Sequence, residues 1–283
     1  MLGKLIKHEF RATGRRMLPT LGVLALLGLL ANISIRVLES GFGGTLLRIL
    51  MGLFIAAFFI GVTVAWIMTL VLMISRFYRS LLKDEGYLMF TLPTNSHALI
   101  WSKLIVSTVW FLATALLVCL LFLLTVANLG KMSAEDFNAA FYGLKDLLAM
   151  LRELGVKSSS LVLLLAELVV AVVLGCLTTC LHFYAAMGLG QMSDNHKGLW
   201  SVLAFIGISL AFQILSSTVF GGLVKSGSVD LIVQSIEDLA QTAPGIVQVM
   251  SSGIGGGLLV ALLEGAVLYV ITALTLNRKL NLA

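Results

Sequence analysis

The chain is 283 residues long, with 59% hydrophobic residues, 12% charged residues and a formal net charge of +5. Its mean hydropathy is +1.04. Soluble domains carry about 25% charged residues, so this composition excludes a soluble globular protein. The basic balance does not indicate nucleic-acid binding, because most of the positive charge falls on one side of the membrane topology derived below, where anionic lipids attract it.

Six long apolar runs fill most of the chain, at residues 17–37, 46–75, 104–129, 161–189, 199–224 and 254–276. A bilayer core about 30 Å thick needs about 20 helical residues to cross it, and each run is long enough. A helix satisfies its own backbone polar groups in lipid. We therefore predict an all-α, polytopic membrane protein whose six-helix transmembrane domain covers residues 17–283.

The charges predict the orientation of these helices. The N-terminus, the loops at 76–103 and 190–198 and the C-terminus share one side, with 12 Lys and Arg and 4 Asp and Glu, a net charge of +8. The other side has 7 basic and 8 acidic residues, a net charge of −1. The positive-inside rule then predicts that both termini lie in the cytoplasm, and we expect the chain to lie in the plasma membrane.

Residues 1–16 have the pattern of an amphipathic helix. One face carries apolar side chains, at Leu2, Leu5, Ile6, Phe10 and Ala12. The opposite face is basic, with Lys4, Lys7, His8, Arg11 and Arg15. This pattern predicts a helix that lies in the cytoplasmic interface. The alternative is a basic tail that only determines the topology.

Three connecting segments are longer than a chain reversal needs. The cytoplasmic loop at 76–103 combines charged and aromatic residues and predicts one or two short helices. The outer segments cover residues 130–160 and 225–253. In the second of these, the apolar stretch at 246–250 is too short to span a bilayer, so it predicts either a hairpin that dips into the outer leaflet or a cap that lies flat.

Polar and small residues inside the spans are the other candidates. Glu167, His182 and Glu264 are ionisable residues at membrane depth, which by default suggests a functional role. A protonated carboxyl group hydrogen-bonded between helices is the structural alternative. Gly253, Gly257, Ala261 and Gly265 form a stripe of small residues that favours close helix packing, either within one chain or across a dimer.

The sequence contains none of the usual catalytic or metal-binding signatures. It has no Walker A loop, and its four histidines lack the spacing of metal ligands. Its cysteines, Cys119, Cys176 and Cys180, lie within predicted spans and indicate free structural thiols. We therefore expect no catalytic centre, no metal site and no cofactor in this chain.

One local pattern is more specific: Lys83-Asp-Glu-Gly-Tyr-Leu-Met-Phe-Thr-Leu-Pro-Thr-Asn-Ser, followed by Ile100-Trp-Ser-Lys103. With the basic N-terminal helix, the six spans and the long second loop, the chain resembles the membrane permease subunit of bacterial type-2 ABC transporters. The resemblance lies in the arrangement of helices and loops, and it extends over the whole chain. The outer segment at 130–160 departs from it, because not all such permeases have one.

The resemblance implies a function and a set of partners. Such permeases form a dimer, with an identical or homologous second permease, on two cytoplasmic ATPase subunits that carry ATP and Mg. In such permeases the loop after the second span docks on the ATPase. The resemblance therefore implies that the docking residues of this chain are Arg79, Lys83, Asp84, Glu85 and Tyr87. The N-terminal helix would be a second contact, and 225–253 a partly re-entrant cap. The implied activity is export of a lipid-like, peptide or antibiotic substrate.

Two other functions stay open from the residues. The first is an ion-coupled secondary transporter in which Glu167 and Glu264 relay protons or ions, although no inverted repeat of broken helices is evident between the two halves of the chain. The second is a non-transporting membrane scaffold or immunity protein that binds a partner helix and needs no ATPase.

Overall fold

The structure is a computed structural model that describes residues 2–41, 44–82, 96–129, 149, 153, 155, 157–193, 196–225 and 242–279. Within these ranges the chain is helical and contains no β-strand. Six long helices account for almost all of it: α1 Leu2–Glu39, α2 Thr45–Phe77, α3 Ser96–Leu129, α4 Ser158–Gly190, α5 Lys197–Lys225 and α6 Ala243–Lys279.

All six helices are long and apolar enough to cross a membrane, which confirms the six predicted spans. Their outer surfaces expose large apolar side chains, such as Leu46, Ile60, Leu165 and Leu263. A soluble protein rarely exposes apolar patches of this extent, whereas lipid is the matching environment for them. The chain is therefore a multi-pass membrane protein.

The helices extend beyond the predicted spans, and α1 and α6 extend furthest. Residues 2–16 continue into the first span without a break, so α1 has 38 residues and a length of about 57 Å, well beyond the roughly 30 Å hydrocarbon core. At the other end, α6 begins at Ala243 rather than at residue 254. The stretch at 246–250 is therefore the first part of α6 and not a separate hairpin. Pro244 does not interrupt it, because a proline in the first turn loses no helical hydrogen bond.

The second helix ends in an unusual way. After Phe77 the helix widens into a π-helical segment, Tyr78–Leu82, in which Ser80 is buried and donates a 2.6 Å hydrogen bond to the Arg76 carbonyl. Single π-helical turns occur frequently at functional positions. This one lies directly before the loop that the sequence predicts to dock an ATPase.

The chain divides into two compact units, Met1–Ala140 and Phe141–Ala283. In the first unit, α1 packs against both α2 and α3. Its core contains Leu24, Ala31, Phe58, Ala65 and Leu121. Contacts between α1 and α3 advance together along both helices, from Thr13 and Trp110 to Asn32 and Thr125, so these helices are parallel, as the first and third of three successive spans must be.

The second unit repeats this arrangement with its own helices. Here α4 packs against both α5 and α6. Contacts advance together from Glu167 and Ser251 to Gly188 and Thr275, so α4 and α6 are parallel, while α5 runs in the opposite direction. Each unit is therefore a three-helix bundle in which the first and third helices are parallel neighbours.

Glycine permits the closest helix approach in the second unit. At the end of α4, a Cβ atom added to Gly190 would lie 2.5 Å from the backbone N and Cα of Ser201 on α5. A backbone cannot yield as a flexible side chain can, so only glycine fits at this crossing. By contrast, a Cβ atom at Gly198 would meet nothing within 4 Å.

We predict that Gly190→Ala destabilises the protein by about 1–3 kcal/mol, because the added methyl group overpacks the α4–α5 crossing. The measurement is the melting temperature of the purified protein in detergent. Gly198→Ala is the matched control and should be neutral or slightly stabilising, since alanine favours a helix where space is open. Equal melting temperatures for the two variants would contradict the close approach.

Candidate functional site

The most highly charged contact in the structure's described part is an ion triad in the first unit. The Glu9 carboxylate accepts hydrogen bonds from both partners, from Arg76 Nε to Oε2 at 2.9 Å and from Lys103 Nζ to Oε1 at 2.8 Å. Only 5% of Glu9 and 3% of Lys103 are exposed, whereas 37% of the Arg76 side chain reaches the surface. One anion thus holds two cations, one of them buried.

Each member of the triad comes from a different helix. Glu9 lies near the start of α1, Arg76 lies in the last turn of α2, and Lys103 lies about two turns into α3. The bundle brings them together because α2 runs opposite to both of its neighbours. The triad therefore fastens the N-terminal part of α1 to the last turn of α2 and the first turns of α3, the described helix ends on either side of residues 83–95.

Neighbouring contacts strengthen this attachment. Thr13 lies one turn after Glu9 and is buried. Its hydroxyl accepts a 2.9 Å hydrogen bond from the Trp110 indole and donates a 2.8 Å bond to the Glu9 carbonyl. The Phe10 and Trp110 rings also meet, with centroids 6.1 Å apart. The N-terminal segment is thus packed against α3 through polar and aromatic contacts together.

Sequence reasoning did not single out Glu9, although a signal was present. At 100° per residue, Glu9 falls in the middle of the apolar face of residues 1–16 and is the only acid there. In the structure this face turns toward the bundle, and the basic residues Lys4, Lys7, Arg11 and Arg15 are exposed. An acid within an apolar stripe therefore marked a buried ion pair. Whether residues 2–16 lie in a membrane interface stays a prediction.

The predicted docking residues are only partly described. Arg79 lies on the π-helical segment and is exposed. Lys83, Asp84, Glu85 and Tyr87 lie outside the described residues, so their role in docking stays a prediction. The described helix ends on both sides of this loop are anchored to Glu9 through Arg76 and Lys103.

The intramembrane polar candidates all lie in the second unit and form two separate contacts. His182 on α4 contacts both other helices of the unit. Its Nδ1 lies 3.7 Å from Glu264 Oε1 on α6, and its Nε2 lies 3.1 Å from Ser209 Oγ on α5. The Phe205 ring meets the imidazole edge-on at 4.9 Å. His182 and Glu264 are thus brought together, which the sequence alone did not reveal.

Glu167 makes the second contact, separate from the first. Its Oε1 accepts a 2.9 Å hydrogen bond from Ser251 on α6. Its other oxygen, Oε2, is buried and has no hydrogen-bond partner within the described ranges. A buried carboxyl oxygen without a donor is costly, so this carboxyl group is poised to receive one.

A cavity of about 240 Å³ lies at the N-terminal ends of α4 and α6. Its lining is mixed, with the polar Lys157, Ser160, Gln248 and Ser251 beside the nonpolar Gly155, Leu163, Pro244 and Val247. Ser251 both lines this cavity and donates to Glu167. Ser251 is therefore the residue through which the cavity wall and the Glu167 contact adjoin.

The predicted stripe of small residues on α6 is packed at only one end in the described contacts. A Cβ atom at Gly265 would lie 3.3 Å from Thr178 Cγ2 on α4, so this glycine permits a close approach. At Gly253 and Gly257 it would meet nothing within 4 Å, and Ala261 is partly buried. Packing of the open half of the stripe across a dimer stays a prediction.

No group of three or more potential metal ligands occurs among the residues that the structure describes. Comparison of the chain with protein-family models, with curated proteins and with solved structures found no match.

We predict that Glu9→Gln destabilises the protein by about 3–5 kcal/mol, because it leaves Lys103 buried without its carboxylate. Lys7→Gln, at an exposed position on the same helix, is the control and should change stability by less than about 0.5 kcal/mol. Melting temperatures in detergent measure both effects. The double variant Glu9→Gln/Lys103→Met should lose less than the two single losses combined. A Glu9→Gln variant as stable as the control would contradict a stabilising triad.

Proposed function

We propose that this chain is the membrane permease subunit of an ATP-binding cassette exporter, coupled to a separate cytoplasmic ATPase. The observation that carries the proposal is the Glu9–Arg76–Lys103 triad. It ties the N-terminal part of α1 to the helices on both sides of the 83–95 loop. These are the two segments that the resemblance assigns to ATPase contact, and a buried ion triad would make them move together.

The coupling follows from this connection. A force applied to the loop by a closing ATPase would reach α2 through the π-helical segment and α3 through its first turns. The buried Glu9–Lys103 pair would pass the same displacement to α1, because breaking a buried ion pair is strongly destabilising. The whole first unit would then move as a rigid body, which is a common way of opening a path across a membrane.

The proposal includes the partners of such a complex. Two ATPase subunits would supply ATP and Mg, and a second permease, identical or homologous, would complete the dimer. In this arrangement the chain resides in the plasma membrane with both termini in the cytoplasm, in contact with lipids and not with nucleic acid. The open half of the Gly253–Gly265 stripe is a candidate surface for the second permease.

Co-purification tests the proposal directly. The tagged protein is isolated in mild detergent from its native host, and the accompanying chains are identified by mass spectrometry. A stoichiometric partner with a Walker A loop is the expected result. A protein recovered alone, under conditions that preserve a known ABC complex, would overturn the proposal and favour a scaffold or an ion-coupled transporter.

We predict that charge reversal at Asp84 and Glu85, both to Lys, releases or uncouples the ATPase while membrane insertion stays normal. Their carboxylates would lose complementary charges on the ATPase, and like charges would then oppose docking. The amount of co-purified ATPase and its transport-linked ATP hydrolysis are the measurements. Glu135→Lys/Asp136→Lys is a matched control, since it reverses an adjacent acidic pair predicted on the outer side. A normally coupled complex in the first variant would refute the docking assignment.

A second candidate function has one observation in its favour. His182 and Glu264 approach within 3.7 Å at membrane depth and are linked to Ser209 on a third helix. Ionisable chains of this kind relay protons in pumps and transporters. The alternative is therefore a proton-coupled secondary transporter that uses Glu264, with Glu167 as the second acid.

Under this alternative, Glu167→Gln/Glu264→Gln should abolish transport driven by a proton gradient, because amides cannot exchange protons. Substrate flux in proteoliposomes, with either an imposed pH gradient or ATP and the partner ATPase, separates the two candidates. Transport that follows ATP and survives both substitutions excludes the relay. Transport that needs the gradient and is lost in the variant excludes the ATP-driven mechanism.

A further inference from the structure

We propose that one exposed face of α1 binds an anionic phospholipid, with the phosphate held by Arg11 and Arg15 and an acyl chain lying along the apolar part of the same face. This face consists of Lys4, Lys7, Arg11, Arg15, Leu18, Gly22, Leu26 and Leu29. The lipid would contact the first unit alone, so its binding does not depend on the ATPase of the proposed function.

The N-terminal part of the face carries a row of cations. At 100° per residue, they lie within an arc of about 80° around the helix. The row consists of Lys4, Lys7, Arg11 and Arg15, all of them exposed. Their side chains have no ion pair or hydrogen bond within the part of the chain that the structure describes. The acid of this segment, Glu9, is buried on the opposite side of α1 in the triad. The row therefore offers uncompensated positive charge to a ligand.

The same face becomes apolar further along α1. Leu18, Leu26 and Leu29 are each more than half exposed, and they extend the arc to only about 100°. Gly22 lies between them, at an exposed position where an added Cβ atom would meet nothing within 4 Å. The absence of a side chain there leaves a gap between Leu18 and Leu26 in which an acyl chain can lie against the helix.

The dimensions of the face match those of one membrane leaflet. From Leu18 to Leu29 the helix rises about 16 Å, close to the roughly 15 Å of hydrocarbon in one leaflet. The headgroup layer on each side of a bilayer is roughly 5–8 Å thick. Arg15 precedes Leu18 by about 4.5 Å along the axis and lies within this layer. Arg11 lies one turn further out and reaches the layer through its long side chain.

The two arginines favour an anionic headgroup over a zwitterionic one. A guanidinium group donates paired hydrogen bonds to phosphate oxygens, and Arg11 and Arg15 are about 6 Å apart along the axis. Phosphatidylglycerol presents this phosphate without a cation of its own. Phosphatidylcholine adds a trimethylammonium group, which the row of cations would repel. Clusters of basic residues next to a membrane span attract anionic lipids for the same reason.

An acidic protein surface is the competing occupant of the cationic row. It would be attracted to Lys4, Lys7 and the arginines by the same charges. It would not use the exposed leucines that continue the face, or the gap at Gly22 between two of them. An amphiphile with an anionic head uses both parts of the face, so the structure favours a lipid.

The test is native mass spectrometry of the full chain, purified and delipidated in detergent, during titration with a lipid. The probes are dioleoyl phosphatidylglycerol and dioleoyl phosphatidylcholine. The mass of each complex counts the lipids that are bound, and its share of the signal gives the affinity for the first lipid. We expect the glycerol lipid to bind about tenfold or more tightly than the choline lipid, because two basic residues contact its phosphate.

Variants of the cationic row assign the binding to this face. Arg11→Gln/Arg15→Gln should weaken binding of the glycerol lipid about tenfold or more and leave binding of the choline lipid unchanged. Arg16→Gln/Arg48→Gln is the matched control, because it removes two other exposed arginines. Arg16 lies about 140° from Arg11 around α1, and Arg48 lies on α2. The control should keep the affinity of the unmodified chain.

A second variant tests the apolar part without changing any charge. Gly22→Leu fills the gap between Leu18 and Leu26 and should weaken binding of the glycerol lipid. Gly52→Leu is the matched control, since Gly52 is exposed on α2 and an added Cβ atom there also meets nothing within 4 Å. This control should bind the lipid normally.

The proposal fails if the two lipids bind equally, if the arginine variant binds the glycerol lipid like its control, or if the two glycine variants behave alike. Loss of a co-purified protein from Arg11→Gln/Arg15→Gln, with lipid binding unchanged, would assign the face to a protein partner and would also overturn the proposal. A chain that recovers no ATPase but binds the glycerol lipid through these arginines would overturn the proposed function alone.

Discussion

The hydrocarbon core of the membrane offers no hydrogen bonds, and this constraint governs the rest of the structure. It makes each span a helix, because a helix satisfies its own backbone. It also makes every polar side chain at depth costly unless another side chain meets it. Several described polar side chains within the spans accordingly join different helices, such as Asn32 with Thr125, and His182 with Ser209 and Glu264.

These polar sets give the bundles a definite register. Apolar helix surfaces pack in many axial positions with similar energies, because lipid tails are as apolar as leucine. A hydrogen bond between two fixed positions removes that freedom. In the first unit, α1 and α3 are aligned by Glu9–Lys103 at one end and Asn32–Thr125 at the other. In the second, Glu167–Ser251 aligns α4 and α6 in the same way.

The two units differ in where their ionisable side chains lie. In the first unit, the ionic contact joins Glu9 to Arg76 and Lys103, near the described helix ends on either side of residues 83–95. The second unit has its carboxyl groups along α4 and α6, one beside a cavity and one beside a histidine. Under the proposed function, force from an ATPase would enter through the first unit; under the alternative function, a proton would meet the second.

The sequence by itself determined the class of protein, the number of spans and the small set of polar residues worth attention, because length and hydropathy decide what enters lipid. It also contained the anomaly at Glu9, an acid on an apolar face. Only the tertiary structure decided the partners: Glu9 with Lys103, 94 residues away, and His182 with Glu264. The spans are apolar on nearly every face, so their sequences do not specify which faces meet or at what height. Packing between helices specifies both.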